Sequence, residues 1–143
     1  MNIKRKLLLI LPILMFSACS IKQEVKPVKI MDNKKICIIE DKAVREGFLE
    51  TYRKVLTEKD FSVKLLDKDA ALDSCKLVST YMGKWSWDLA IYLSYAEIKV
   101  YEDGKIIGSV LYDSTSGGGN IFKKFVNGEN KITELVNQLF LSN

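Results

Sequence analysis

Lys4, Arg5 and Lys6 lead into an apolar run from Leu7 to Phe16, interrupted only by Pro12, and the small pair Ser17 and Ala18 then precedes Cys19. No other feature limits the fold as much, because it decides which residues are left to fold and in which compartment. A cationic start, a short apolar stretch and small residues at its end are the three parts of a secretory signal. Ten apolar residues span roughly 15 Å as a helix, about half of a ~30 Å hydrocarbon core, too short for a permanent membrane span. Residues 1–18 therefore read as a signal peptide cut between Ala18 and Cys19.

The quartet Phe16-Ser17-Ala18-Cys19 resembles the lipobox of bacterial lipoproteins, with Phe16 where that pattern prefers leucine. The resemblance implies that Cys19 is lipidated, with a thioether-linked diacylglycerol and an amide-linked acyl chain such as palmitate. Each buried CH₂ contributes about 0.8 kcal/mol, so two or more chains anchor stably where one does not. Ser20 stands where aspartate retains Gram-negative lipoproteins at the inner membrane. The resemblance thus implies the outer membrane, with the chain facing the periplasm.

Loss of the signal takes three cations and no acid, so the formal net charge of +4 falls by three. The remaining Lys and Arg are interspersed with Asp and Glu and form no basic stripe, so nucleic acid is not an expected partner. The chain has no histidine. That removes the commonest general base and the commonest zinc ligand, and with them Ser-His-Asp, Cys-His and His-metal schemes. Neither an enzyme nor a cofactor is expected.

Residues 19–34 are polar, contain Pro27 and lack periodicity, and they read as a lipidated N-terminus with a flexible tether. The globular domain is expected over residues 35–143. Ile36-Cys37-Ile38-Ile39 is a short apolar run suited to a strand buried on both faces. From Glu40 to about Glu58, Val44, Phe48, Tyr52, Val55 and Leu56 share one stripe at helical spacing. Phe61 to Leu66 is a second strand, and strand-helix-strand favours a parallel crossover. Lys76 to Trp85 and Leu89 to Glu102 alternate as a third and a fourth strand. Asp103-Gly104 is the turn of a hairpin whose other arm runs from Lys105 to about Tyr112. After the loop 113–120, Ile132, Leu135, Val136, Leu139 and Phe140 mark a terminal helix from about Gly128. The predicted fold is a single α+β domain with about five strands in a mixed sheet, in the order strand-helix-four strands-helix, and both helices on one face. This order resembles small α/β domains of periplasmic assembly proteins, such as the N-terminal domain of the Tol-system β-propeller protein, which implies nothing about function.

A second resemblance rests on a longer set of residues. Trp85-Ser86-Trp87-Asp88-Leu89-Ala90, Tyr95 through Tyr101, Asp103-Gly104-Lys105, Gly108, Tyr112-Asp113-Ser114, Gly117-Gly118, Asn120 and the stretch Lys131 to Phe140 occur in that order. Together they make residues 35–140 similar to a family of short proteobacterial lipoproteins of unknown function. The similarity implies one compact lipid-anchored domain and brings no substrate, cofactor or catalytic residue.

Three sets of residues are candidates for chemistry. Cys37 and Cys75 form a disulfide in an oxidising compartment or remain two thiols, one of them buried in the first strand. Trp85, Trp87, Tyr92 and Tyr95, with Tyr81 nearby, gather around the third-to-fourth strand connection, where Trp85 and Trp87 share a face by period two. They form either an interaction patch or half-buried sheet packing. Gly117-Gly118-Gly119, followed by Lys123 and Lys124, is a backbone nest for an anion or a plain connection, and it lacks the Gly-Lys-Ser/Thr ending of a phosphate loop. The expected function is a membrane-anchored, non-catalytic interaction or accessory lipoprotein of the cell envelope, reaching an envelope protein partner. The alternative is a lipoprotein that binds a small ligand or the cell wall.

Overall fold

The computed structural model describes residues 21–29, 34–115 and 127–141. Its elements are β1 (Lys22–Lys26), β2 (Lys35–Ile39), α1 (Glu46–Glu58), β3 (Ser62–Leu66), β4 (Leu77–Asp88), β5 (Ala90–Glu102), β6 (Lys105–Asp113) and α2 (Gly128–Leu139). The six strands form one mixed sheet in the order β1-β6-β5-β4-β2-β3. β2 is parallel to both β3 and β4, and the remaining pairs are antiparallel. The chain is an α+β domain of two helices and a mixed sheet.

Helix periodicity does what the sequence indicates. Phe48, Tyr52, Val55 and Leu56 of α1 and Ile132, Leu135, Val136 and Leu139 of α2 are buried in one cluster with Ile36, Ile38, Ile98 and Val110 of the sheet. Both helices therefore cover the same face. Tyr52 carries its hydroxyl into this core, where it lies 2.8 Å from Ser79 Oγ, itself donating to the Lys99 carbonyl at 3.0 Å. Burial pushes the Tyr52 phenol far above its ordinary value, although the Ser79 bond works against it. α1 ends in a Schellman motif: Phe61 N–H bonds the Leu56 carbonyl, Asp60 N–H bonds that of Thr57, and Asp60 takes φ 65°. Asp103 and Gly104, both at positive φ, make the two-residue turn between β5 and β6.

On the other face, Cys37, Ile39 and Val78 form a second cluster with Leu66, Ala70 and Cys75. Cys37 and Cys75 are joined by a disulfide that closes a sequence separation of 38 residues. It pins the connection between β3 and β4 against β2.

Two expectations are corrected, the tether and the start of the first helix. Part of the segment read as a tether is the strand β1, which brings the expected mixed sheet of about five strands to six. β1 pairs residue for residue with β6, from Lys22 opposite Asp113 to Lys26 opposite Ser109. All five of its side chains are exposed, so it has no apolar periodicity to read. What holds it is backbone pairing, together with Val28, which is buried and whose N–H bonds the Leu139 carbonyl at 2.8 Å. Gly108 makes the close approach possible, because a Cβ there would run into the Val28 side chain and the Lys26 carbonyl. The charges of β1 also suit an edge strand, where they discourage further pairing.

The first helix starts at Glu46 and not at Glu40. The Asp41 carboxylate accepts from Ala43 N–H at 3.0 Å, and the Asp41 carbonyl accepts from Val44 N–H. That local turn, over residues 41–44, competes with helix and wins the segment between β2 and α1.

Candidate functional site

β4 and β5 are the two longest strands, and their hairpin overshoots the sheet. β6 ends with Asp113 opposite Tyr95, which itself faces Lys84 across the β4–β5 pair. Beyond that level, Trp85–Asp88 and Ala90–Leu93 pair only with each other among the described strands. The result is a two-stranded ribbon projecting from one end of the sheet.

A bulge marks the base of the ribbon. Lys84 pairs with Tyr95 but Trp85 pairs with Leu93, so Ser94 has no partner in the register. One extra residue bends a strand and re-aims its side chains. Here it returns Leu93 to the helix-covered face that Ala96, Ile98 and Val100 also serve. The bulge is held by polar bonds centred on buried Ser94. Ser94 Oγ donates to the Lys84 carbonyl at 3.1 Å and accepts from Ser86 Oγ at 2.9 Å. The Ser94 carbonyl accepts from both the N–H and the hydroxyl of Ser114, at 2.9 and 3.0 Å. Sequence reasoning missed Ser94 and Ser114. Their signal was the break in alternation, where core residues run Leu93, Ala96, Ile98 with one three-residue step.

The five aromatic residues grouped by sequence occupy different settings. Tyr81 is buried and stacked on Phe48 at 5.2 Å between centroids. Its hydroxyl accepts from Asp41 N–H at 3.2 Å, and burial raises its phenol above the ordinary value. Trp85 is half-buried, edge-on to Phe48 at 6.3 Å, with the Arg45 guanidinium 5.9 Å from its ring. Tyr92 is buried. Tyr95 is half-buried under the Lys84 ammonium, 5.4 Å from the ring, and burial, then the Glu97 charge, raises its phenol.

Trp87 alone of the group is out in solvent, 74% exposed. It is not isolated. Its register partner Ile91 is 59% exposed, and Leu89, between them at the apex, is 87% exposed with φ 62°. The exposed surface is thus Trp87, Leu89 and Ile91. The two aliphatic residues were missed because they fit a strand's alternation as well as any core residue does.

A crevice of about 710 Å³ lies beside the base of the ribbon, lined by Asp41, Arg45, Glu46, Leu49, Tyr81 and Trp85 among others. It stands at the carboxyl end of β2, whose two parallel neighbours β3 and β4 lie on opposite sides, which is where open sheets commonly bind ligands. Carboxylates and cations alternate around it, so no single ligand charge is selected. Among the described residues, no group of three or more His, Cys, Asp or Glu side chains is placed to hold a metal ion. No helix among them is long and apolar enough to cross a membrane. Ala18, Cys19 and the signal peptide lie outside the described residues, as do Gly117-Gly118-Gly119, Lys123 and Lys124.

No protein-family model and no curated protein sequence matches the chain. Among solved structures it is similar to the PelC dodecamer from Paraburkholderia phytofirmans, at 10% identity and TM-score 0.50, covering 84% of this chain and 95% of that one. A Leu-to-Met form of the same dodecamer matches at 11% identity and TM-score 0.44, over 84% of this chain and 92% of that one. At such identity the likeness is one of fold.

Proposed function

We propose that this chain is a membrane-anchored, non-catalytic interaction lipoprotein of the cell envelope, held through Cys19 at the periplasmic face of the outer membrane. Its working surface is the apex of the β4–β5 ribbon. The observation that carries this reading is the outward presentation of Trp87, Leu89 and Ile91 on a ribbon whose base is fixed by serine hydrogen bonds. Contiguous apolar residues left in water mark interaction sites, and tryptophan is a frequent anchor in them. The disulfide suits an oxidising compartment, in keeping with the signal-like N-terminus. The lack of histidine and the mixed charges of the crevice favour binding over catalysis.

A second reading, a small ligand or cell-wall glycan in the crevice, is favoured by Arg45 lying over Trp85 beside Tyr81. A photo-crosslinking amino acid at position 87 in intact cells tests the apex, with exposed Glu58 as the control position. Adducts are expected from position 87 and not from 58. Their mass separates an envelope protein, a lipid, a glycan or a second copy of the chain, the last being how PelC assembles. Absence of any adduct at 87 refutes the apex as a working surface.

A further inference from the structure

The geometry points to a lipid surface as what the apex of the ribbon meets: Trp87, Leu89 and Ile91 enter the same leaflet that holds the lipid on Cys19. This rests on the reading of Cys19 as the anchor and names the partner of the apex. The argument is one of register. Lys22, the first residue of β1, pairs with Asp113, Asp113 with Tyr95, and Tyr95 with Lys84. The start of β1 and the base of the ribbon are therefore level at the same end of the sheet, with β5 two strands and β4 three strands from β1. β1 runs away from that end, so the chain enters the strand there.

Reach decides the rest. Lys22 lies three residue steps from Cys19, which allows at most ~11 Å. From Lys84 to Leu89 is five residues, ~17 Å along the ribbon. Wherever Cys19 stands within its reach, the apex extends about 6 Å or more beyond it along the strand direction. Interfacial apolar groups sit about 5–10 Å into the headgroup and acyl boundary. A domain tethered this closely, with its sheet end toward the membrane, thus brings the apex to that depth without any rearrangement.

Composition agrees with the placement. Asp88 is the only charge among residues 86–91, and tryptophan favours the membrane interface. The backbone agrees too, since Leu89 occupies a left-handed conformation in which glycine would be the easier residue. An apolar side chain is kept at the tip where local geometry does not ask for one.

The experiment uses the chain from Cys19 onward with the Cys37–Cys75 bridge intact, which leaves Cys19 the one free thiol of three cysteines. Cys19 is coupled to a maleimide phospholipid in phosphatidylethanolamine/phosphatidylglycerol vesicles, which installs an anchor whatever the cell attaches. Trp85 and Trp87 are the only tryptophans, so Trp85→Phe leaves Trp87 as sole reporter. If that variant does not fold, the difference between the unsubstituted chain and Trp87→Phe supplies the same signal. On vesicles, Trp87 is expected to shift its emission to the blue, to be quenched by lipids brominated on their acyl chains, and to lose its accessibility to iodide. Without the tether, the combined Trp87→Ser and Leu89→Gly chain is expected to partition onto these vesicles at least roughly tenfold more weakly than the unsubstituted one.

Trp87 as accessible to iodide on vesicles as off them would overturn the inference. So would protection already present without vesicles, because a second copy would then be the occupant. Failure of the anchor reading is separate: protein extracted from cells would show no diacylglycerol mass on Cys19, while the tethered measurement still reports on the apex.

Discussion

Trp85 and Trp87 are two residues apart on one strand and do opposite work. The first closes the core beside Phe48, and the second stands in solvent. Trp85→Ala removes a half-buried ring and is expected to cost about 2–4 kcal/mol, somewhat below the range for a fully buried one. Trp87→Ala leaves no cavity and should stay within about 0.5 kcal/mol of the unsubstituted chain. Urea unfolding of both variants measures the difference, and equal large losses would mean that the apex is packed in solution. Leu89→Gly goes the other way. It relieves a leucine from φ 62° and is expected to be neutral or to stabilise by about 1 kcal/mol. Such a gain on loss of an apolar side chain is the pattern of a residue kept for contact rather than for folding.

At the scale of elements, β1 is an edge strand, paired only with β6 among the described strands. Its Gln23 side chain is bonded to α2. Gln23 Nε2 donates to Glu134 Oε1 at 3.1 Å and to Gln138 Oε1 at 2.8 Å, and Lys131 Nζ donates to Glu134 Oε2 at 2.7 Å. Burial raises the Glu134 carboxyl, but the bonds from Lys131 and Gln23, the Lys131 charge and the bond from Gln138 outweigh it and hold it below the ordinary 4.5. A depressed folded-state value means stabilisation that is present above the ordinary value and is lost as pH falls through the folded one. Amide protection over residues 22–26, corrected for intrinsic exchange, is therefore expected to decline as pH falls below 4.5, while β5 stays protected. Glu134→Gln keeps an acceptor and removes the titration, so its β1 protection should no longer follow pH. An unchanged pH profile in that variant would assign the loosening to another group.

The whole molecule is a sheet with helices on one face and, on the other, a small apolar cluster closed by the Cys37–Cys75 bridge. Closing a 38-residue separation removes enough unfolded-state freedom to contribute roughly 4 kcal/mol in the chain-entropy model. Reduction, or the paired Cys37→Ala and Cys75→Ala substitution, is expected to lower unfolding free energy by about that amount. Denaturant melts with and without reductant read it. Cys37 is buried, so reduction is expected to be slow without prior partial unfolding. If the reduced chain is as stable as the oxidised one, the connection between β3 and β4 is held by Leu66, Ala70 and Val78 alone.

The parts of this protein legible in its sequence are those written as periodicity or as local turn chemistry. The stripe of α1 from Phe48 onward, the stripe of α2, the apolar run of β2 and the Asp103-Gly104 turn all appear where the residues indicate, because each depends on neighbours a few positions away. β1 was invisible for the same reason. Its stability comes from Gly108, Val28, the edge of β6 and the α2 acceptors of Gln23, none of which can be read from Lys22–Lys26 alone. The aromatic group shows the limit most plainly. Period two placed Trp85 and Trp87 on one face, as they are, but burial depends on where α1 stops covering the sheet. That is set by helix length and by the Asp41 turn, not by the strand. The extra residue at Ser94, and the overshoot of β4 and β5 past β6, exist only once the strands are paired. Local sequence determined which elements form, and the tertiary register decided which of their side chains are left facing outward.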